Sequence, residues 1–149
     1  MPYYLAFDPG NTTGYAEFDV HGEISDFGQI NNGVEGITDF VMQYDKPIHT
    51  VIIESYMVLP DDHSVKANVG SKLETVQVIG VLRGWAYSKK AKIVMQQPQI
   101  KKIAELQAGF KVKGKHENTH WQDAVLHGVY YLVKNKIRKP KGLEGKEFV

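Results

Sequence analysis

Three carboxylates and one imidazole stand where a fold can bring them together. Asp8 closes a short apolar run and precedes a Pro-Gly turn, Glu54 closes the run Thr-Val-Ile-Ile-Glu, and Asp123 follows His120 by three residues. A spacing of three puts His120 and Asp123 on one face of a helix. An oxygen-rich set with one imidazole suits magnesium or manganese, hard ions that keep several waters and leave room for a phosphate oxygen. Two such ions about 4 Å apart activate an attacking water and stabilise the leaving oxygen in line, which is the chemistry of phosphodiester hydrolysis. Carboxylates that close repel unless a cation or proton lies between them.

Each residue alone also has a plainer account. An Asp before Pro-Gly is a common turn former. Glu54, after three β-branched residues, is expected half-buried and in need of partners. Asp123 suits the positive end of a helix dipole, and His120 suits a helix start. Four at once favour a site.

The elements that must position them follow from periodicity and punctuation. Residues 3–8, 13–19 and 23–30 read as strands, with Val20-His21-Gly22 as a hairpin turn. Residues 33–44 carry Val34, Ile37, Val41 and Tyr44 at helical spacing, and Pro47 stops them. Residues 50–54 read as a buried strand. A polar loop over 59–71 is expected next, then a long helix over 72–88 with Leu73, Val76, Ile79, Leu82 and Trp85 as its apolar positions. Residues 91–96 give a fifth strand, 98–109 a short helix ended by Gly109, and 111–117 a lysine-rich loop. The last helix is expected over 119–136, with Thr119 and Gln122 in a capping-box pattern. Three strands followed by alternating helices and strands imply an α/β protein with a mixed sheet. One domain over 1–140 and a flexible tail over 141–149 are expected.

Composition sets the outer bounds. With 149 residues, 42 % of them hydrophobic, the chain is long enough to bury its own core. The absence of cysteine excludes disulfides, thiolate metal sites and cysteine nucleophiles. The N-terminus lacks a basic stretch before its apolar residues, and no apolar run reaches the roughly 20 residues of a membrane helix, so a cytoplasmic protein is expected. Net charge is only +1, but residues 1–63 hold eleven acids and one base while the rest carry a net +11. Such asymmetry suits a basic phosphate-binding surface unless the two halves interleave in the fold.

At these residues the sequence resembles the RuvC-like Holliday-junction resolvases of the RNase H-like superfamily. Asp8-Pro-Gly-Asn-Thr-Thr-Gly-Tyr-Ala is similar to their opening motif, and Ile52-Ile53-Glu54 to their second acidic motif. Gly80-Val81-Leu82-Arg83-Gly84 is similar to their Gly-x-x-Arg-Gly helix, and His120-Trp121-Gln122-Asp123-Ala124 to their terminal motif. The resemblance runs in order through most of residues 3–133. It implies an RNase H-like fold with a five-stranded mixed sheet and helices on both faces. It further implies a homodimer in the cytoplasm of a bacterial or phage-infected cell, and magnesium-dependent nicking of opposed strands in a four-way DNA junction during recombination or repair. Metal binding, with two Mg2+ ions or Mn2+ in their place, would fall to Asp8, Glu54, His120 and Asp123. Many members carry a second aspartate where His120 stands, and the histidine would favour manganese more. The loop after Glu54 is longer than in bacterial members, which points to a phage-type member.

Further residues gain meaning from this resemblance. Lys101 and Lys102 lie in a helix that the family uses near the scissile phosphate, and Lys101 is assigned a catalytic part. Lys111, Lys113 and Lys115 form an alternating basic loop suited to a DNA backbone, with salt-dependent and largely sequence-blind binding. Solvated lysines on a polar face are the plainer account, as dipole-favoured cations are for the basic run 134–141. Tyr56 and Met57 would pack on unstacked bases at the junction centre, or close the strand end as core residues. Gly80, Gly84 and Ala86 permit close helix approach, either within the monomer or in a dimer; so do Ala124 and Gly128.

Three other functions fit parts of the pattern. Actin-like and sugar kinases share the opening turn but need two lobes. A nuclease acting on RNA–DNA hybrids or ribosomal RNA precursor would carry the same metal site. A non-catalytic nucleic-acid-binding module would not need the intact Asp8, Glu54 and Asp123 set.

Overall fold

Five strands form one mixed sheet in the order β3-β2-β1-β4-β5. The computed structural model describes residues 1–56, 65–109 and 120–140, with side chains from 72 onward in the middle stretch. Strands β1 (Tyr3–Asp8), β2 (Thr13–Phe18) and β3 (Ile24–Ile30) make an antiparallel meander. Its second turn is held by Asp19, whose Oδ1 accepts the backbone N–H groups of His21 and Glu23 at 2.9 and 3.0 Å. Strands β4 (Ile48–Glu54) and β5 (Lys92–Gln96) then add in parallel beside β1.

Strand alternation sends side chains to two helical layers. Leu5, Phe7, Val51 and Ile53 pack against α1 (Gly33–Gln43) and α2 (Val65–Ser88). Tyr4, Ala6, Ala16, Phe18 and Ile52 pack against α3 (Lys101–Ala108) and α4 (His120–Lys134). A 3-10 turn, Pro98–Ile100, leads into α3, and Gly109 ends it in the left-handed conformation. The expected α/β architecture, with helices on both faces of a five-stranded mixed sheet, is thus the observed one.

Two expectations fail in α2. The helix starts at Val65, so much of the segment 59–71 expected as a loop is helical; no proline or paired glycine interrupts 65–71, and polar residues alone do not break a helix. Leu73 and Val76 are not core residues either, being 54 % and 43 % exposed, whereas Val78, Ile79, Leu82, Trp85 and Ala86 are buried. At about 100° per residue a run spaced strictly by three drifts around the helix, and Leu73 ends up about 180° from Leu82. Gly80 and Gly84 share that outer side, with no atom within 4 Å of where a Cβ would stand.

Glu74 ties the two helices of this layer together. Its Oε1 accepts the Val34 backbone N–H at 2.7 Å, capping the start of α1, where Asn32 supplies no side-chain cap.

Candidate active site

The site begins with a register. In the parallel pairing of β1 with β4, Phe7 stands beside Ile53, so Asp8 and Glu54 end adjacent strands on the same side. Alternation sets both on the face of Ala6 and Ile52, the face that α4 covers. Gln96 lies across from Glu54 on β5.

The start of α4 reaches this edge because β2 leaves room for it. Gly14 pairs with Asp8, and a Cβ there would run into the backbone carbonyl of His120. Only glycine admits so close an approach. The Trp121 ring stacks on Phe27 of β3 with centroids 4.6 Å apart. His120, Asp123 and His127 then project at spacings of three and four from one face of α4 toward the strand ends.

His120 Nδ1 lies 3.2 Å from Asp8 Oδ2. Lys101 Nζ lies between two carboxylates, 3.4 Å from Glu54 Oε1 and 3.5 Å from Asp123 Oδ2. Glu54 Oε2 meets His127 Nε2 at 3.1 Å, and His127 Nδ1 meets Gln96 Oε1 at 2.9 Å. His127 is fully buried.

Charges are divided unevenly across this cluster. Burial pushes the Asp8 carboxyl up to about 7; the His120 contact opposes this, while the Glu54 and Asp123 charges and a hydrogen bond with Glu54 add to it. Burial also acts to raise Glu54, but the His127 hydrogen bond and the His127 and Lys101 charges outweigh it and hold that carboxyl down at about 2. Asp123 is raised, by burial first and against the pull of Lys101. His120 is raised by its hydrogen bond to Asp8. Burial would lower Lys101, but the three surrounding carboxylates raise it.

Among the described residues no group of three or more histidines or acids stands arranged to hold a metal ion; Lys101 stands among the carboxylates instead. The donor set nevertheless fits a hard divalent ion. Oxygens would come from Asp8, Glu54 and Asp123 and one imidazole from His120; burial first, then the neighbouring carboxylates, raise Asp8 and Asp123, and a cation would offset both effects.

Of the residues singled out in the sequence, Asp8, Glu54, His120, Asp123 and Lys101 come together. Lys102 is exposed one residue further along α3, and Tyr56 is 38 % exposed two residues past β4. Met57, Lys111, Lys113, Lys115 and the Thr119 cap lie outside the described residues. Sequence reasoning missed His127 and Gln96. The available signals were the spacing of four from Asp123 and a polar residue ending an otherwise apolar strand.

No protein-family model matches the sequence, and no curated protein matches it. Solved structures do. The structure of T. thermophilus RuvC in complex with Holliday junction substrate aligns with a TM-score of 0.63 and 14 % identity, covering 95 % of this chain and 100 % of that one. A second Thermus thermophilus RuvC structure aligns with a TM-score of 0.61 and 14 % identity, over 93 % and 99 % of the two chains. The chain therefore has the RNase H-like fold in the form that RuvC structures take, over nearly its whole length.

Proposed function

We propose that this protein is a metal-dependent endonuclease that resolves four-way or branched DNA junctions, acting as a homodimer that nicks opposed strands. The observation that carries this reading is the convergence of Asp8, Glu54 and Asp123 on one sheet edge with Lys101 among them. Its support is the fold shared with a RuvC whose structure holds a Holliday junction.

Asp8, Glu54, Asp123 and His120 would hold two Mg2+ ions, with Mn2+ as a substitute that the imidazole favours. Bound there, the ions supply activation of the attacking water and stabilisation of the leaving oxygen. Asp8 must give up its raised proton to serve as a ligand, so binding is easier as pH rises. Lys101, held among the carboxylates, is placed to meet a phosphate oxygen delivered to the same edge. Lys102 extends that cationic edge to solvent, and Lys111, Lys113 and Lys115 would contact the DNA backbone. Tyr56 is exposed enough to pack on an unstacked base.

The homodimer reading draws on the outer side of α2. Leu73, Val76 and the 81 % exposed Tyr87 line it together with Gly80 and Gly84, whose missing side chains let another backbone approach. No described helix is long and apolar enough to cross a membrane.

The deciding experiment offers a synthetic immobile four-way junction with Mg2+ or Mn2+, beside linear duplex, single strand and RNA–DNA hybrid. Paired symmetric nicks on the junction, lost in Asp8→Asn, are expected. Cleavage of the hybrid alone would move the activity to an RNase H-type nuclease, and cleavage of nothing would leave a binding module.

A further inference from the structure

His127 has no catalytic part in the reading above, yet it is the most enclosed polar side chain beside the cluster. Its α4 neighbours Ala124, Val125, Leu126 and Val129 are fully buried and apolar, as is usual for a helix face pressed on a sheet. An imidazole there loses its hydration and must recover it through specific partners. It has two, from different strands: Gln96 of β5 at Nδ1 and Glu54 of β4 at Nε2, at 2.9 and 3.1 Å. Those strands are themselves paired at Glu54 and Gln96, so helix and both strands close a ring of contacts.

The direction of the Glu54 contact follows from the groups present. The carboxylate only accepts, so Nε2 carries the hydrogen whichever way the Gln96 amide is turned. That contact occupies Oε2, while Oε1 faces Lys101. We infer that His127 is a positioning residue that anchors Glu54 through Oε2 and so presents Oε1 alone to an incoming divalent ion. This rests on the metal-dependent reading proposed above. Partners of this kind orient a ligating carboxylate, and their loss typically weakens metal binding about 10- to 100-fold.

Two substitutions separate positioning from mere core filling. The amide of Asn at 127 reaches about where Nδ1 stands and so keeps the Gln96 contact, while that of Gln reaches about where Nε2 stands and keeps the Glu54 contact. Mn2+ affinity of the full chain without DNA, measured by titration calorimetry, is expected to fall about tenfold or more in His127→Asn. In His127→Gln it should stay near wild type, with both variants folded by circular dichroism. Equal Mn2+ affinity in the two variants would overturn the inference while leaving the metal reading intact. A wild-type protein that binds no Mn2+ would overturn the metal reading and this inference with it. Should neither variant fold, 15N-histidine NMR of the wild type decides. Nε2 of His127 is expected to carry its hydrogen before and after Mg2+ addition, and a bare Nε2 would overturn the anchoring role.

Discussion

Glu17 and Asp8 are carboxylates on neighbouring strands, each turned into a protein layer, and their environments push them in opposite directions. Glu17 is 1 % exposed on the face of α1 and α2, beside Leu5. It accepts hydrogen bonds from Ser25 Oγ at 2.7 Å, Tyr44 OH at 2.7 Å and Lys46 Nζ at 2.9 Å. Burial acts to raise its carboxyl, but these three donors outweigh it and the group stays below the usual range. Asp8, on the opposite face, is raised to about 7 by burial first; its one imidazole opposes the rise and two neighbouring carboxylates add to it. Burial alone therefore does not mark a functional acid. The supply of donors separates these two: three donors satisfy Glu17, and the proposed metal ion would satisfy Asp8.

The sharpest way to break this comparison is to neutralise each acid. Asp8→Asn is expected to lower junction cleavage by about a thousandfold or more while leaving thermal stability equal or higher, since it removes a carboxyl whose charged form is disfavoured there. Loss of folding together with activity would place Asp8 beside Glu17 as a structural group. Glu17→Leu should do the reverse. It leaves Tyr44 and the partly exposed Lys46 without their acceptor and Ser25 with only the backbone carbonyl of residue 17, and should cost about 3 kcal/mol in urea unfolding, with cleavage per folded molecule unchanged.

Gly14→Ala tests the geometry that joins Asp8 to α4. The added methyl meets the His120 carbonyl, so about 2 kcal/mol of stability should be lost, together with Mn2+ affinity. An unchanged affinity would mean that the start of α4 can shift without moving the ligands.

The pH dependence sharpens the contrast further. A carboxyl raised in the native state keeps its proton after the unfolded chain has lost it, so Asp8 makes metal-free protein less stable as pH climbs from about 4 to about 7. His120, also raised, adds stability below its unfolded value that is lost as pH rises through its folded one. Glu17, lowered, contributes stability above its unfolded value near 4.5 that is lost on acidification. Melting temperatures of chelated protein should therefore fall from pH 5 toward 7.5 relative to Mg2+-loaded protein. Parallel curves would show that no site carboxylate is raised.

The smallest effect is expected on the outer side of α2. In a monomer Gly80→Ala should stabilise by up to about 1 kcal/mol through helix propensity. In a dimer seated on that face it should weaken association in sedimentation, and an unaltered dimer would place the interface elsewhere.

Much of this arrangement was legible in the residues. Alternation in β1 and β4 and the punctuation around Pro9, Gly10 and Pro47 suffice for the strands, and the spacing of His120 and Asp123 for the face of α4 turned to the strand ends. What escaped depends on neighbours distant in sequence. The outward turn of Leu73 follows from angular drift that a spacing of three conceals. Glu17 looks like an ordinary strand acid until Tyr44 and Lys46 arrive from beyond α1. His127 reads as one polar residue in an apolar stretch until β4 and β5 set Glu54 and Gln96 against it.

The parallel register of β1 with β4 also governs how this chain can change length. Side chains alternate every residue, so deleting one residue between Thr50 and Glu54 would turn the glutamate from the α4 layer to the α1 and α2 layer and set Ser55 in its place beside Asp8. The turn between β2 and β3, at the opposite end of those strands from Gly14, carries no such parity. Insertions should accumulate there, while β4 keeps its residue count even where its identities drift.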